Sequence, residues 1–160
     1  INCLQYKINN NVYSPNIINS IRCLVALGYS PRTADPQHNK WRTGGFLHMA
    51  ASACDSLVLQ FLVKEFCPDK VEETPIGINE QCVSDSFTPL HCLFEERRAS
   101  PEQLKENLML LLQYGANPSI RNKLGKDCIE YATNEGFLES ARVMLASATS
   151  GVTSIFPARN

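Results

Sequence analysis

The chain has 160 residues, 44% hydrophobic and 19% charged, with a formal net charge of −1. That length suffices for one domain with a buried core, and that composition is globular rather than disordered. The charge balance excludes a general nucleic-acid binder, which needs an excess of Lys and Arg, and no apolar run approaches the ~20 residues of a membrane-spanning helix.

In chain order, a short helix is expected near Leu4 to Asn9, followed by a small insertion from Asn10 to Tyr13. Ser14-Pro15 opens the next helix, with Ser as cap and Pro in the first turn, where no N–H is lost. Ile17, Ile18, Ile21, Leu24 and Val25 form its apolar stripe, and Gly28 stops it. Asp35 to Thr43 is a connecting loop that carries the only Trp, Trp41, beside Arg42. Gly45 to Ala53 is a third helical stretch. Ser56 to Phe66 is a fourth, with Val58, Leu59, Leu62 and Val63 facing inward. Cys67 to Ile76 reads as an exposed insertion.

Thr88-Pro89 opens a further helix that runs to about Glu95. Ser100-Pro101-Glu102-Gln103 is a capping box, and Leu104, Leu108, Leu111 and Leu112 continue inward behind it. Gly115 ends that helix by accepting a left-handed backbone. Cys128 to Asn134 and Leu138 to Ala146 form the last pair, joined at Gly136. In the small, polar tail, Ile155 and Phe156 are candidates to fold back over the final helices.

The chain also matches itself. Gly45-Phe46-Leu47-His48-Met49-Ala50-Ala51 aligns with Thr88-Pro89-Leu90-His91-Cys92-Leu93-Phe94, and Asn2-Cys3-Leu4-Gln5-Tyr6 aligns with Asp127-Cys128-Ile129-Glu130-Tyr131. The shared anchors Leu4, Leu47, Leu90 and Ile129 lie 43, 43 and 39 residues apart. Thr88-Pro89-Leu90-His91, followed by Tyr114-Gly115-Ala116-Asn117-Pro118, resembles an ankyrin repeat, whose unit of about 33 residues carries T-P-L-H. The longer spacings place insertions in loops, where closure costs little.

The resemblance implies an all-α ankyrin-repeat solenoid of about four helix-turn-helix units with loop insertions. It spans a single domain, 1–160, with units near 2–35, 44–80, 87–121 and 126–147 and a tail at 148–160. The second unit departs from the pattern at Gly45 and Phe46, and its second helix ends at Phe66 without a glycine. The chain opens at Ile1, inside a unit and without Met, which suggests a domain of a longer protein.

Little catalytic chemistry is written in the sequence. His48 and His91 sit at equivalent sites, and the resemblance gives such a His a structural hydrogen bond at the start of the first helix. No C-x-x-C, H-x-x-x-H or H-E-x-x-H supports a metal site, no Gly-rich phosphate loop is present, and no cofactor is expected. A nucleophile drawn from Cys54, Cys92 or Cys128 with a His is weighed against core packing. Cys92 next to His91 is poor geometry, because successive helical residues do not face each other. Cys23, Cys92 and Cys128 read as core residues, whereas Cys67 and Cys82 flank the insertion and are expected to be exposed. Seven cysteines without framework spacing read as reduced thiols of an intracellular protein.

What remains is a surface. The resemblance implies protein binding through hairpin-like finger loops and the concave helix face. The positions it marks are Trp41, Arg42, Ser52, Asp85, Phe87, Glu95, Glu96, Lys123, Lys126 and Asn134. Trp41 and Phe87 are the aromatic candidates for hot spots; the competing reading is that both pack their own loops. The expected partner is a protein, not nucleic acid or membrane, and the isolated domain is expected to be monomeric. The alternative function is substrate docking within a larger intracellular enzyme, or within a bacterial effector acting in the host cytosol. Otherwise the cytoplasm or nucleus is expected.

Overall fold

A computed structural model describes residues 14–29, 44–67, 77–95 and 99–149. These residues form α1 (Ser14–Ala26), α2 (Phe46–Ser52), α3 (Ser56–Phe66), α4 (Pro89–Cys92), α5 (Pro101–Gln113), α6 (Cys128–Asn134) and α7 (Leu138–Thr149). No strand occurs among the described residues. The expected helix at 4–9, the loop at 35–43, most of the insertion at 67–76, and Ile155 and Phe156 lie outside them.

The helices pack in two rows. The short helices α2, α4 and α6 lie side by side, and so do the longer α1, α3, α5 and α7. The chain crosses between the rows at α2–α3 and at α6–α7. This arrangement follows from the stripes. Val58, Leu59, Leu62 and Val63 of α3 are all fully buried, as are Leu108 and Leu111 of α5. α3 and α5 therefore each need a row neighbour on either side to cover their apolar faces, α1 and α5 for α3, and α3 and α7 for α5. In the short row Leu47 and Leu90 are buried, while Ile129, at the end, is half-buried.

The expected stop and start signals act locally. At α5 the N–H of Ala116 reaches the carbonyl of Leu111 at 3.0 Å, and that of Gly115 reaches Leu112 at 3.0 Å. With Gly115 at φ +92° this is a Schellman cap, and Ala116 is buried against the helix. The N-terminus of α5 closes as a box: Gln103 N–H donates to Ser100 Oγ at 3.2 Å, and Ser100 N–H donates to Gln103 Oε1 at 3.3 Å. Two boundaries differ from expectation. α4 is only four residues long, because a turn begins at Leu93, and α7 continues past Ala146 to Thr149.

The α2–α3 turn has the same Schellman bonds, from Cys54 N to Ala51 O at 2.9 Å and from Asp55 N to Ala50 O at 3.1 Å. Here the left-handed position holds Cys54, at φ +50°, where the α6–α7 turn has Gly136. A non-glycine residue there costs about 1–2 kcal/mol. Two side chains hold the turn. Asp55 caps α3 by accepting from the N–H groups of Leu57 and Val58, both at 3.1 Å. From α5, the buried Asn107 donates Nδ2–H to the Cys54 carbonyl at 3.1 Å and lies 3.1 Å from its sulfur.

Asn107→Leu should therefore destabilise the protein by about 1–3 kcal/mol, because the Cys54 carbonyl loses its partner inside the core. Urea unfolding checks this, and Cys54→Gly should not rescue the Asn107 change, because the backbone carbonyl at 54 is still left without its donor.

Candidate functional site

Two loop fingers precede α4 and α6, and they are built alike. In the first, Cys82 N–H bonds to Phe87 O at 2.8 Å and Ser86 N–H bonds to Cys82 O at 3.0 Å. In the second, Asn122 N–H bonds to Lys126 O and Gly125 N–H bonds to Asn122 O, both at 2.9 Å. Each finger turns through a left-handed residue just before its last one: Ser86 at φ +55° and Gly125 at +72°. Glycine takes that geometry without cost. Ser86 is held in it by Gln81, whose side-chain amide donates to Ser86 O at 2.8 Å. The buried Asn122 Oδ1 accepts from the N–H groups of Leu124 and Lys126, which shapes the second finger.

The fingers are tied to each other. Lys123 N–H donates to Asp85 O at 3.0 Å, and the Lys123 ammonium donates to Val83 O at 2.6 Å and to Ser84 O. Gln81 also reaches Arg121 O at 2.8 Å. Behind them, Asn79 exchanges bonds with the segment after α5, donating to Gly115 O at 3.0 Å and accepting from Asn117 N–H at 2.7 Å. At the tips Val83 and Leu124 are both 73% exposed. Tied fingers thus hold two apolar side chains in solvent.

A histidine in each of α2 and α4 joins the helix to the finger that follows. His48 Nε2–H faces Glu80 O at 2.9 Å and Phe87 O at 3.1 Å. His91 Nε2–H faces Lys126 O at 3.4 Å. In both cases the acceptor includes the residue just before the next helix cap, Thr88 or Asp127. Gly44 lies so close under His48 that a Cβ there would meet its Cγ at 2.4 Å, so only glycine fits beneath the ring. Burial lowers the pKa of His48 to about 4 and outweighs the carbonyl bonds that raise it. Burial also lowers His91, against the Lys126 carbonyl and the charge of Asp127. Both rings are neutral at pH 7.

The expected contact residues divide into groups. Trp41, Arg42 and Glu96 lie outside the described residues. Phe87 is an interior residue, only 5% exposed. It stacks on His91 at 5.3 Å between ring centres and meets Tyr131 edge-on at 5.0 Å, so its ring packs the joint between α4 and α6 and is not presented at the surface. Asp85 and Lys123 meet through the bond between fingers. Lys126 is half-buried, with its carbonyl engaged by His91. Ser52 and Glu95 are half-buried and Asn134 is exposed. All three follow their caps Gly45, Thr88 and Asp127 by the same interval, which places them at matching positions along the short row. Val83 was not anticipated; its only sequence signal is its place beside Ser84 in the finger.

The thiols are disposed for packing. Cys54, Cys92 and Cys128 are buried, and burial raises the pKa of Cys54 and of Cys128, which keeps both protonated and poor as nucleophiles. Three expectations are reversed. Cys23 is exposed, because it lies off the Ile17–Ile21 stripe of α1, while Cys67 and Cys82 are 1% and 5% exposed, drawn into the core where the chain leaves α3 and enters the first finger. Among the described residues no group of three or more His, Cys, Asp or Glu side chains is arranged to hold a metal ion. Among them, too, no helix is long and apolar enough to cross a membrane.

No known protein family matches the chain, and no curated protein matches its sequence.

Because the folded pKa of His48 lies below its ordinary 6.5, the neutral ring stabilises the fold fully above that pH. The contribution fades as pH falls toward about 4. The expected loss is on the order of 3 kcal/mol. Chemical unfolding across this window checks it, and His48→Gln, which keeps a donor without titrating, should flatten the profile.

Proposed function

We propose that this chain is an ankyrin-type array that holds a protein partner along its finger tips and the adjoining ends of its short helices. Three observations support the ankyrin reading. The helices lie in two rows of unequal length. The fingers before α4 and α6 share one hydrogen-bond plan. A histidine at the same place in α2 and in α4 reaches the carbonyl just before the next cap. An array of this kind offers a continuous extended face.

The observation that carries the binding reading is the exposure of Val83 and Leu124, both at 73%, on fingers bonded to each other. Singly exposed apolar side chains such as Leu27 and Leu57 occur elsewhere; what sets these two apart is that the fingers carrying them are held in place by Lys123, Gln81 and Asn122. Preordered apolar side chains lose little entropy when a partner covers them. Among the described residues, binding is favoured over catalysis by the buried, protonated thiols of Cys54 and Cys128 and by the structural bonds of His48 and His91.

A photo-crosslinker placed at position 83 or 124 should yield protein adducts in cells, whereas one at the exposed Lys64 or Glu102, on the longer helices, should not. Affinity for the captured partner should fall about tenfold or more in Val83→Ser/Leu124→Ser. The thermal midpoint of that variant should barely move, since exposed substitutions cost about 0.5 kcal/mol or less. Phe87→Ala should do the reverse in kind, costing about 3–5 kcal/mol of stability as a buried aromatic truncation. Equal crosslinking at the finger and control positions would overturn the proposed surface.

A further inference from the structure

The longer helices α1, α3, α5 and α7 keep one register. Their fourth residues are Ile17, Leu59, Leu104 and Ala141, all buried. Their eighth residues are Ile21, Val63, Leu108 and Leu145. The first three of these are fully buried, whereas Leu145 is 54% exposed. Place in the row explains the difference. α1, α3 and α5 each have a following helix, and α7 has none among the described residues. The eighth position is thus one that the next element covers. Leu138, seven residues before Leu145 and on the same face of α7, is exposed as well. The short row repeats the pattern at its second residues: Leu47 and Leu90 are buried, and Ile129, at the end, is half-buried.

A single exposed leucine needs no partner. A core position that recurs along a row and then meets water is different, because the outer face of a terminal unit is ordinarily polar. The sequence just beyond α7 supplies a cover. α1, α5 and α6 each have a left-handed glycine two residues past their last: Gly28, Gly115 and Gly136, with φ between +88° and +92°. Each closes its helix with the same pair of backbone bonds and turns the chain away from it. Gly151 stands at that place after α7. Val152, Ile155 and Phe156 follow it, and no residue from 150 to 158 is charged. Pro157 biases Phe156 toward an extended backbone.

We propose that residues 152–156 run back along α7 and cover Leu145 and Leu138, closing the open end of the row. The reach is sufficient. Five extended residues span about 16 Å, and Leu145 lies about 10 Å from Leu138 along the helix. Leu145 is also only one turn from Thr149, where α7 ends. Arg142, between the two leucines, is paired with Glu139 at 2.8 Å, so the cover buries no unpaired charge there. Tethering favours this segment over a second copy of the chain, since a short linker holds it at an effective concentration on the order of millimolar. The closure concerns the end of the row and holds whatever the fingers bind.

The test uses the 160-residue chain. Methyl NMR should show contacts between the Leu145 methyls and the Phe156 ring. Phe156→Ser should raise amide exchange at Met144 and Leu145 about tenfold through local opening of α7, and leave Leu59 and Leu62 of α3 unchanged. Leu145→Ala should have a similar effect, and adding it to Phe156→Ser should change little more, because both remove one contact. Leu57→Ser, an exposed change on α3, should leave α7 protected. Leu145 methyls without a contact to the Phe156 ring, α7 protection unaltered in Phe156→Ser, or protection that falls on dilution, which would make the cover a second copy, would each overturn the closure.

Discussion

A helix as short as α4, four residues from Pro89 to Cys92, cannot sustain itself. Nucleation fixes several residues for the first hydrogen bond, and isolated helices below about 12–15 residues are marginal even with ideal sequences. α2 and α6, at seven residues each, are under the same constraint. Their stability has to come from neighbours, and the rest of the structure follows from that need. Apolar stripes supply the lateral cover, and polar joints at the helix starts set how far one short helix stands from the next.

Those joints are economical. His48 and His91 each bond a carbonyl at the point where the following finger becomes a helix, so one contact aligns two elements at once. Phe87 lies between His91 and Tyr131 and fills the space the joint encloses. The fingers are then fixed at their base by histidine carbonyl bonds, across their width by Lys123 and Gln81, and internally by Asn122. Under the proposed binding role, fingers bonded in this way would need little further ordering when a partner covers their tips.

Much of the helical plan was legible along the chain. Ser100-Pro101 with Gln103, Gly28, Gly115 and Gly136 act through bonds a few residues long, so their meaning does not depend on the rest of the fold. The stripes of α3 and α5 were equally clear, because burial on one face leaves a period. Less legible were the places where a distant side chain substitutes for a local signal. Cys54 and Ser86 take left-handed backbones that glycine occupies elsewhere, and they are held by Asn107, 53 residues away, and by Gln81. Nothing near Cys54 in the chain announces Asn107. Exposure within the first finger was not legible for a related reason. Phe87 and Val83 lie in the same finger, and which one faces water depends on the Tyr131 ring arriving from α6.

By itself the sequence determined where most of the described helices start and stop, which faces are apolar, and that histidines recur at matching positions. All of these are set by local sterics, capping and periodicity. Only the tertiary structure decided that Cys67 and Cys82 are covered while Cys23 is exposed, that Phe87 is interior, and that Val83 and Leu124 are exposed on fingers bonded to each other. Those outcomes are fixed by which elements come to lie against one another, and contacts between residues distant along the chain leave no period or cap from which they could be read.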